Sequence, residues 1–226
     1  MHPSEIRSRL SLFPFDKGLI GHLSDNYSIV DQAVGEKALH QGDPVNRIPL
    51  YLVGESKLYR YSAEKDKQYV ISHVKPGETC PTSLVAAVTK QPSAVTAISI
   101  KPVKKLLIPV YEVDYLHDHF ESWNRFVLQS MTKGYNQILN SFSGAMTKTV
   151  EQRIHEFITI SCHPKNGHMI KITHDELAQE IGSSRVVVTR TLKKLEQTGA
   201  LSLHRGKICM LIGSQIDEKK ARTVKS

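Results

Sequence analysis

The chain has 226 residues, of which 40% are hydrophobic and 23% are charged. These proportions are typical of a globular protein, and they exclude a collagen, a mucin-like stalk and a mostly disordered polymer. The net charge at pH 7 is +8, and the residues after Met146 carry 14 cationic and 8 acidic side chains, so the basic excess lies at the C-terminus. Such an excess suits a nucleic-acid partner, but it equally serves solubility.

The sequence shows no membrane or targeting segment. No apolar run approaches the roughly 18–20 residues that a bilayer crossing needs, and the first residues lack the basic and then apolar pattern of a signal peptide. The cysteines, Cys80, Cys162 and Cys209, are too few for a disulfide framework or a cysteine-only metal cluster. We therefore expect a cytoplasmic protein with reduced thiols and no membrane partner.

The first long pattern is rich in β-strand signals. After a short lead with helical character over residues 4–13, turn signals such as Gly42-Asp43-Pro44 and Pro76-Gly77-Glu78 separate brief apolar stretches. Many short strands at near-regular spacing are typical of a sandwich or barrel and not of alternating βαβ units. Strands are predicted over residues 28–30, 36–39, 49–53, 57–61, 69–74, 94–98 and 105–108.

The second pattern is a long amphipathic helix over residues 111–142. Apolar residues such as Leu116, Trp123 and Met131 recur every three or four positions, without an internal proline. A helix of some 30 residues would be about 45 Å long, which is more than one small barrel covers easily. Its apolar stripe either packs on the chain's own barrel or pairs with the same helix of a second copy.

The third pattern begins at Thr149. Its spacing predicts a helix near residues 150–158, a loop over 162–168 and a short strand over 169–172.

Two helices with clear start signals follow. Thr173 and Glu176 form a capping-box pattern, and Gly182 ends the first helix because glycine accepts a left-handed conformation without strain. The second helix runs over residues 185–196, and two short strands over 199–211 read as a β-hairpin. Two helices joined through a glycine turn and followed by such a wing indicate a winged helix-turn-helix.

With these elements in this order, the chain resembles the Crp/Fnr family, the catabolite activator and fumarate-nitrate-reduction regulators of bacteria. The resemblance rests on residues 172–178, 182–185, 188–196 and 206–208, together with Gly42-Asp43 and Pro76-Gly77-Glu78 in the barrel. It implies an α+β fold with a cyclic-nucleotide-binding-type double-stranded β-helix (jelly-roll) barrel, a long dimerisation helix and a C-terminal winged helix-turn-helix. The corresponding domains are an effector-sensing barrel over 1–110, the dimerisation helix and hinge over 111–146, and the DNA-binding domain over 147–226.

The resemblance further implies a homodimeric, sequence-specific transcriptional regulator that binds an inverted-repeat DNA operator and contacts RNA polymerase. Arg185 and Arg190 are the best candidates for reading bases, since a guanidinium can donate two hydrogen bonds to guanine. Val186 departs from the family, in which many members have a glutamate at this place, and so predicts a changed base preference. The predicted DNA-binding residues are Thr173, His174, Ser183, Ser184, Arg185, Val186, Thr189, Arg190, Lys193, His204 and Lys207, with Arg205 as a further wing cation.

The effector is open. Family members that bind cyclic AMP carry an Arg-Ser or Arg-Thr pair, whereas this chain has Pro92-Ser93, and a buried phosphate without a cation is costly. An iron–sulfur cluster is disfavoured because no cysteine precedes Cys80. A haem-bound or thiol-based redox-sensing variant stays open, as does a cupin-like metal-dependent enzyme that uses His40, although we expect no enzymatic activity and no metal. The candidate effector-binding residues are Glu78, Thr82, Ser83 and Ser93.

Overall fold

The computed structural model describes residues 3–64, 67–162 and 169–210. The chain divides into two compact units, Met1–Asn140 and Ser141–Ser226. The elements up to residue 147 are α1 (Pro3–Leu10), α2 (Lys17–Asn26), β1 (Ile29–Gln32), β2 (Lys37–Leu39), β3 (Arg47–Val53), β4 (Ser56–Ser62), β5 (Lys67–Val74), α3 (Pro81–Thr89), β6 (Thr96–Ser99), β7 (Val103–Pro109), a 3-10 turn (Val110–Glu112), α4 (Val113–His119) and α5 (Glu121–Thr147).

The strands of the first unit form two antiparallel sheets, with the orders β1-β7-β3 and β2-β6-β4-β5. Side chains alternate between the faces of the first sheet. Leu50 and Leu106, which are paired across β3 and β7, join the apolar core that includes residues of α1 and α2. Tyr51 and Val103 belong instead to a second core, shared with Leu58 of the other sheet. The barrel therefore has one interior between its sheets and a helical layer outside.

The structure corrects the prediction of one helix over residues 111–142. The chain breaks at Phe120, which adopts an extended conformation between α4 and α5. Asn124 spans this corner: its side-chain nitrogen donates to the carbonyl oxygen of His117 at 2.8 Å, which satisfies an acceptor that the end of α4 leaves free. Two helices, α2 and α3, were not predicted.

The second unit contains α6 (Val150–Ser161), β8 (Met169–Lys171), α7 (His174–Glu180), α8 (Arg185–Gln197), β9 (Leu201–His204) and β10 (Lys207–Met210). Its strands form an antiparallel sheet in the order β8-β10-β9. Ile154, Leu177, Leu192 and Ile208 contribute to one apolar core that joins the helices to this sheet. All but the first residue of the loop predicted over 162–168 lie outside the described residues.

Together these elements confirm the predicted fold class, a jelly-roll barrel combined with a winged helix-turn-helix. Among the described residues, no helix is long and apolar enough to cross a membrane.

Candidate nucleic-acid interface

The helix-turn-helix is defined by its two N-terminal caps. The Thr173 hydroxyl accepts a hydrogen bond from the Glu176 amide at 3.2 Å, and the Glu176 carboxylate accepts one from the Thr173 amide at 2.8 Å. This is the predicted capping box, and it fixes the start of α7. At the start of α8, the Ser184 side chain accepts from the Val187 amide at 3.3 Å. Ser184 is therefore the cap, and Ser183 lies within the turn.

The turn between the two helices is held from both sides. Gly182 has a φ of +65°, a backbone conformation that residues other than glycine rarely adopt. The Ser183 amide donates to the Ala178 carbonyl oxygen at 2.8 Å. On the other side, Arg153 of α6 donates to the carbonyl oxygen of Ile181 at 2.6 Å. Sequence reasoning missed Arg153, because a lone arginine 28 residues before its partner leaves no local signal.

One side of α8 is buried and the other is open. Val188, Leu192 and Leu195 face the core of the second unit. Val186, Arg190 and Lys193 are exposed, and they are spaced four and three residues apart, which places them on one face of a helix. Arg185, in the first turn of α8, is also exposed.

The open face of α8 is cationic. In the part of the chain that the structure describes, no carboxylate lies within ion-pair distance of Arg185, Arg190 or Lys193. Lys194 differs, because its ammonium contacts the Glu151 carboxylate of α6 at 2.9 Å. The three unpaired cations are thus available to an anionic partner, while Lys194 stabilises the packing of α8 on α6.

Two predicted contact residues are engaged with each other. Nδ1 of His174 lies 3.0 Å from the Thr189 hydroxyl, which links the start of α7 to the middle of α8. Both residues are partly buried. The Thr173 hydroxyl also donates to the Glu176 carboxylate at 2.8 Å. His174 and Thr189 thus link the two helices, while Thr173 caps α7, and a contact with phosphate stays a prediction for each of the three.

The wing is attached to α8 through Glu196, whose carboxylate accepts a hydrogen bond from the Leu203 amide at 2.8 Å. His204 and Lys207 face each other at the end of the hairpin formed by β9 and β10. Both are exposed, as is Arg205 in the turn between them. The tip of the wing therefore carries three groups that can be cationic, near the end of a helix that is itself basic.

In the first unit, the four candidate effector residues do not share one site. Thr82 lines a cavity of about 600 Å³ between α3 and α5, which we call the α3–α5 cavity. Glu78 forms an ion pair with Lys133 of α5 outside it. Ser83 is buried and faces away from this cavity. The Ser93 hydroxyl donates to the Val95 carbonyl oxygen at 2.7 Å, as a turn residue does.

The α3–α5 cavity is lined by side chains that carry no charge. The described residues around it are Leu58, Ile71, Ser72, Pro81, Thr82, Val85, Ala86, Thr89, Gln91, Pro92, Ala94, Met131, Gly134, Tyr135, Gln137 and Ile138. The lining includes Pro92, where the cyclic-AMP binders of the resembled family carry their arginine. Its chemistry therefore suits an uncharged molecule better than a phosphate.

Titratable ligands do not converge elsewhere in the described residues. No group of three or more histidine, cysteine, aspartate or glutamate side chains is placed to hold a metal ion there. His40 contacts Asp43 at 3.2 Å within its own turn. Cys80 is buried. Cys162 is buried too, and its burial raises the pKa of its thiol above the ordinary value.

Comparison with known proteins shows similarity over both units. The model of the Crp-like helix-turn-helix domain matches residues 152–212. The global nitrogen regulators of Nostoc sp. (strain PCC 7120) and Synechocystis sp. (strain PCC 6803) are 24% and 26% identical to this chain, over 74% of its length in each case and 78% and 77% of theirs.

Solved structures match the fold. A transcriptional regulator of the Crp/Fnr family from Eubacterium rectale superposes with a TM-score of 0.77 at 21% identity, covering 93% of this chain and 99% of that one. The c-di-GMP responsive global regulator CLP of Xanthomonas campestris gives a TM-score of 0.75 at 17% identity, with coverages of 87% and 100%.

Proposed function

Because the chain is a regulator of the Crp/Fnr family, we propose that it binds double-stranded DNA as a homodimer and regulates transcription. The observation that carries the proposal is the open face of α8, on which Val186, Arg190 and Lys193 are exposed opposite a fully buried seam. In helix-turn-helix proteins the second helix lies in the major groove and reads base edges. Here α8 is that helix.

The cationic side chains on α8 and on the wing contact different parts of the DNA. Arg185 and Arg190 reach base edges, where a bidentate arginine–guanine contact is worth about 1–3 kcal/mol of discrimination. His204, Arg205 and Lys207 approach phosphates from the wing, which positions the protein without specifying sequence. Two copies of α8 read an inverted repeat whose half-sites lie about 34 Å apart, one turn of the double helix.

Dimerisation is supported by exposed apolar side chains on α5, of which Tyr135 and Ile138 also line the α3–α5 cavity. Leu128, Tyr135, Ile138 and Leu139 are exposed, and the exposed fraction of Leu128 is 68%. Leu128, Tyr135 and Leu139 are spaced seven and four residues apart, which places them on one face of the helix, and an exposed apolar face marks an interaction site. The same helix of a second copy would bury this stripe. We expect Leu128→Glu to shift the protein toward a monomer in light scattering, whereas Leu128→Met, which keeps an apolar side chain at this position, leaves the dimer intact.

The central experiment is a selection of binding sites from random duplexes at low ionic strength. We expect an inverted repeat, and we expect Arg185→Ala together with Arg190→Ala to abolish its preference over random DNA. Lys194→Ala is the matched control, since the Lys194 ammonium is already paired with Glu151. A protein that ignores every duplex would overturn the proposal, and selected sites without dyad symmetry would contradict the homodimer.

We place the effector in the α3–α5 cavity. A molecule there would contact both the barrel and α5, so its differential affinity for two arrangements of α5 would bias DNA binding. The uncharged lining favours a neutral effector and disfavours cyclic AMP, whose phosphate would lack a cation. A thermal-shift screen of neutral metabolites against cyclic nucleotides tests this assignment. Stabilisation by cyclic AMP would contradict a neutral effector, and stabilisation by any probe that persists unchanged in Thr82→Val would contradict binding in this cavity.

Two further assignments follow from the regulator class. The protein contacts RNA polymerase at its promoters, which transcription from a linear template in vitro tests.

It is not an enzyme, an assignment that the regulators among its relatives support. The alternatives are a cupin-like metalloenzyme and a haem-bound or redox-sensing regulator. Metal analysis and the absorption spectrum of the purified protein distinguish them from a regulator that holds no cofactor.

A further inference from the structure

A second cavity, of about 410 Å³, lies between the two sheets of the barrel on the other side of α3. It shares no lining residue with the α3–α5 cavity. Tyr51 of β3, Ala97 of β6 and Lys105 of β7 line it, and Cys80 and Ser83 close it at the start of α3. We call it the barrel cavity. Its position on the other side of α3 separates it from the proposed effector site.

The barrel cavity contains a buried ammonium group. The side chain of Lys105 belongs to a residue that is only 4% exposed, and its Nζ donates to the side-chain oxygen of Gln32 at 2.6 Å. Gln32 is oriented by its own amide nitrogen, which donates to the Glu36 carbonyl oxygen at 2.8 Å. The same Nζ lies 5.8 Å from the ring centroid of Tyr51. These contacts fix the cation in place without neutralising it.

Among the described residues, Lys105 has no ion-pair partner that would directly balance its charge. In the described ranges, no carboxylate comes within ion-pair distance of this ammonium. Glu36 lines the same cavity and acts on Lys105 only through space, while burial lowers the pKa of Lys105. An ammonium group has three N–H donors, and a buried charge without a partner is costly. An anion in the cavity would complete this site.

The other residues that line the barrel cavity indicate the charge and the polarity of the anion that it would bind. Exposed residues at the edge of the barrel cavity, Asp31, Glu36, Lys37 and Arg47, contribute two charges of each sign, so Lys105 leaves a net charge of +1. A phosphate monoester or a dicarboxylate would exceed that charge. The rest of the wall is mainly apolar and includes Leu39, Pro44, Val45, Pro49, Ala97 and Leu107. This combination suits a single carboxylate attached to an apolar body.

We propose that the barrel cavity binds a small monocarboxylate whose oxygens accept hydrogen bonds from Lys105. The proposal does not depend on DNA binding, because Lys105 lies in the barrel and contacts only barrel residues among those described. Its test can therefore fail or succeed independently of the operator selection.

The test compares benzoate with benzamide, two probes of nearly the same shape that differ in charge. We expect isothermal titration calorimetry on the full chain to show benzoate binding at least tenfold tighter than benzamide. Lys105→Met should abolish this preference. Lys104→Met is the matched control: it removes a neighbouring cation of the same strand, one that is paired with Asp31, and should preserve the preference. Equal affinities for the two probes, or a preference that survives Lys105→Met, would overturn the proposal.

A second variant keeps the test decisive if Lys105→Met does not fold. Ala97 is 5% exposed and lines the barrel cavity, so Ala97→Val adds volume there while Lys105 stays in place. We expect benzoate affinity to fall at least fivefold in this variant. An unchanged affinity would show that benzoate binds elsewhere.

Discussion

The close contact between α3 and α5 gives the most direct test of the barrel unit. A Cβ atom added at Gly134 of α5 would lie 2.9 Å from Cβ and 3.0 Å from Cγ of Pro81 at the start of α3. Such distances are shorter than van der Waals contact. Gly134→Ala must therefore push α5 away from α3 or deform one of them.

The expected effect follows from two opposing terms. Overpacking of a well-packed contact costs about 1–3 kcal/mol. Replacing glycine by alanine inside a helix returns about 0.5–1 kcal/mol. Gly21→Ala in α2 supplies the second term alone, because no atom outside its own helix lies within 4 Å of the added Cβ. We expect the free energy of unfolding of Gly134→Ala to fall below that of Gly21→Ala by about 1–3 kcal/mol.

Urea denaturation measures this difference. Trp123 is the chain's one tryptophan and is 1% exposed on α5, so its fluorescence reports on the unfolding of the unit that contains both glycines. Gly21→Ala should be more stable than the wild type. If the two variants unfold at the same urea concentration, α3 and α5 are not in the close contact described here, and the α3–α5 cavity loses its wall.

Three further predictions concern the DNA-binding face and the barrel. Arg190→Ala should weaken operator binding by about 1–3 kcal/mol per half-site in fluorescence anisotropy, whereas Lys194→Ala should leave base preference unchanged. Val186→Glu should move the selected operator toward cytosine at one position of each half-site, because a carboxylate accepts a hydrogen bond from cytosine N4 and valine cannot. The Ser122 hydroxyl donates to the Asp16 carboxylate at 2.5 Å, and this hydrogen bond lowers the pKa of Asp16 below its ordinary value of 3.8. The ionised Asp16 therefore stabilises the folded state above pH 3.8, and this stabilisation is lost as the pH falls through the lower pKa of the folded state. Urea titrations at several pH values between about 5 and 3 should therefore give a free energy of unfolding that falls less steeply with decreasing pH in Asp16→Asn than in the wild type.

Each of these predictions has a contradicting outcome. An Arg190→Ala protein with wild-type operator affinity would remove α8 from the major groove. An operator that does not change in Val186→Glu would place that side chain away from the bases. Parallel pH profiles for the wild type and Asp16→Asn would show that the cap of α2 is not the titrating group.

The helix-turn-helix could be predicted because its signals are local. Thr173 and Glu176 lie three residues apart, and Gly182 and Ser184 mark the turn and the next cap. Exposure of Arg185, Arg190 and Lys193 followed from the apolar seam on the opposite side of α8. Each inference needed fewer than ten residues of context, and the structure agrees with the helix starts.

What could not be predicted depends on tertiary contacts. The α3 segment is rich in Thr, Ser, Val and Ala, and its start signal is Pro81 in the first turn, so its helical state and the assignment of Thr82 and Ser83 to different cavities were hidden. The break at Phe120 was hidden too, because the apolar spacing continues through it. Lys105 reads as a surface cation until the two sheets are placed face to face.

The position of α3 between two spaces has one further consequence. Thr82 and Ser83 are consecutive residues, yet one lines the α3–α5 cavity and the other lines the barrel cavity, so the wall between them is one helix thick. Movement of that partition enlarges one compartment at the expense of its neighbour. Two molecules that never touch would then compete through the helix that divides them, and by thermodynamic reciprocity each would weaken the other's binding by the same factor.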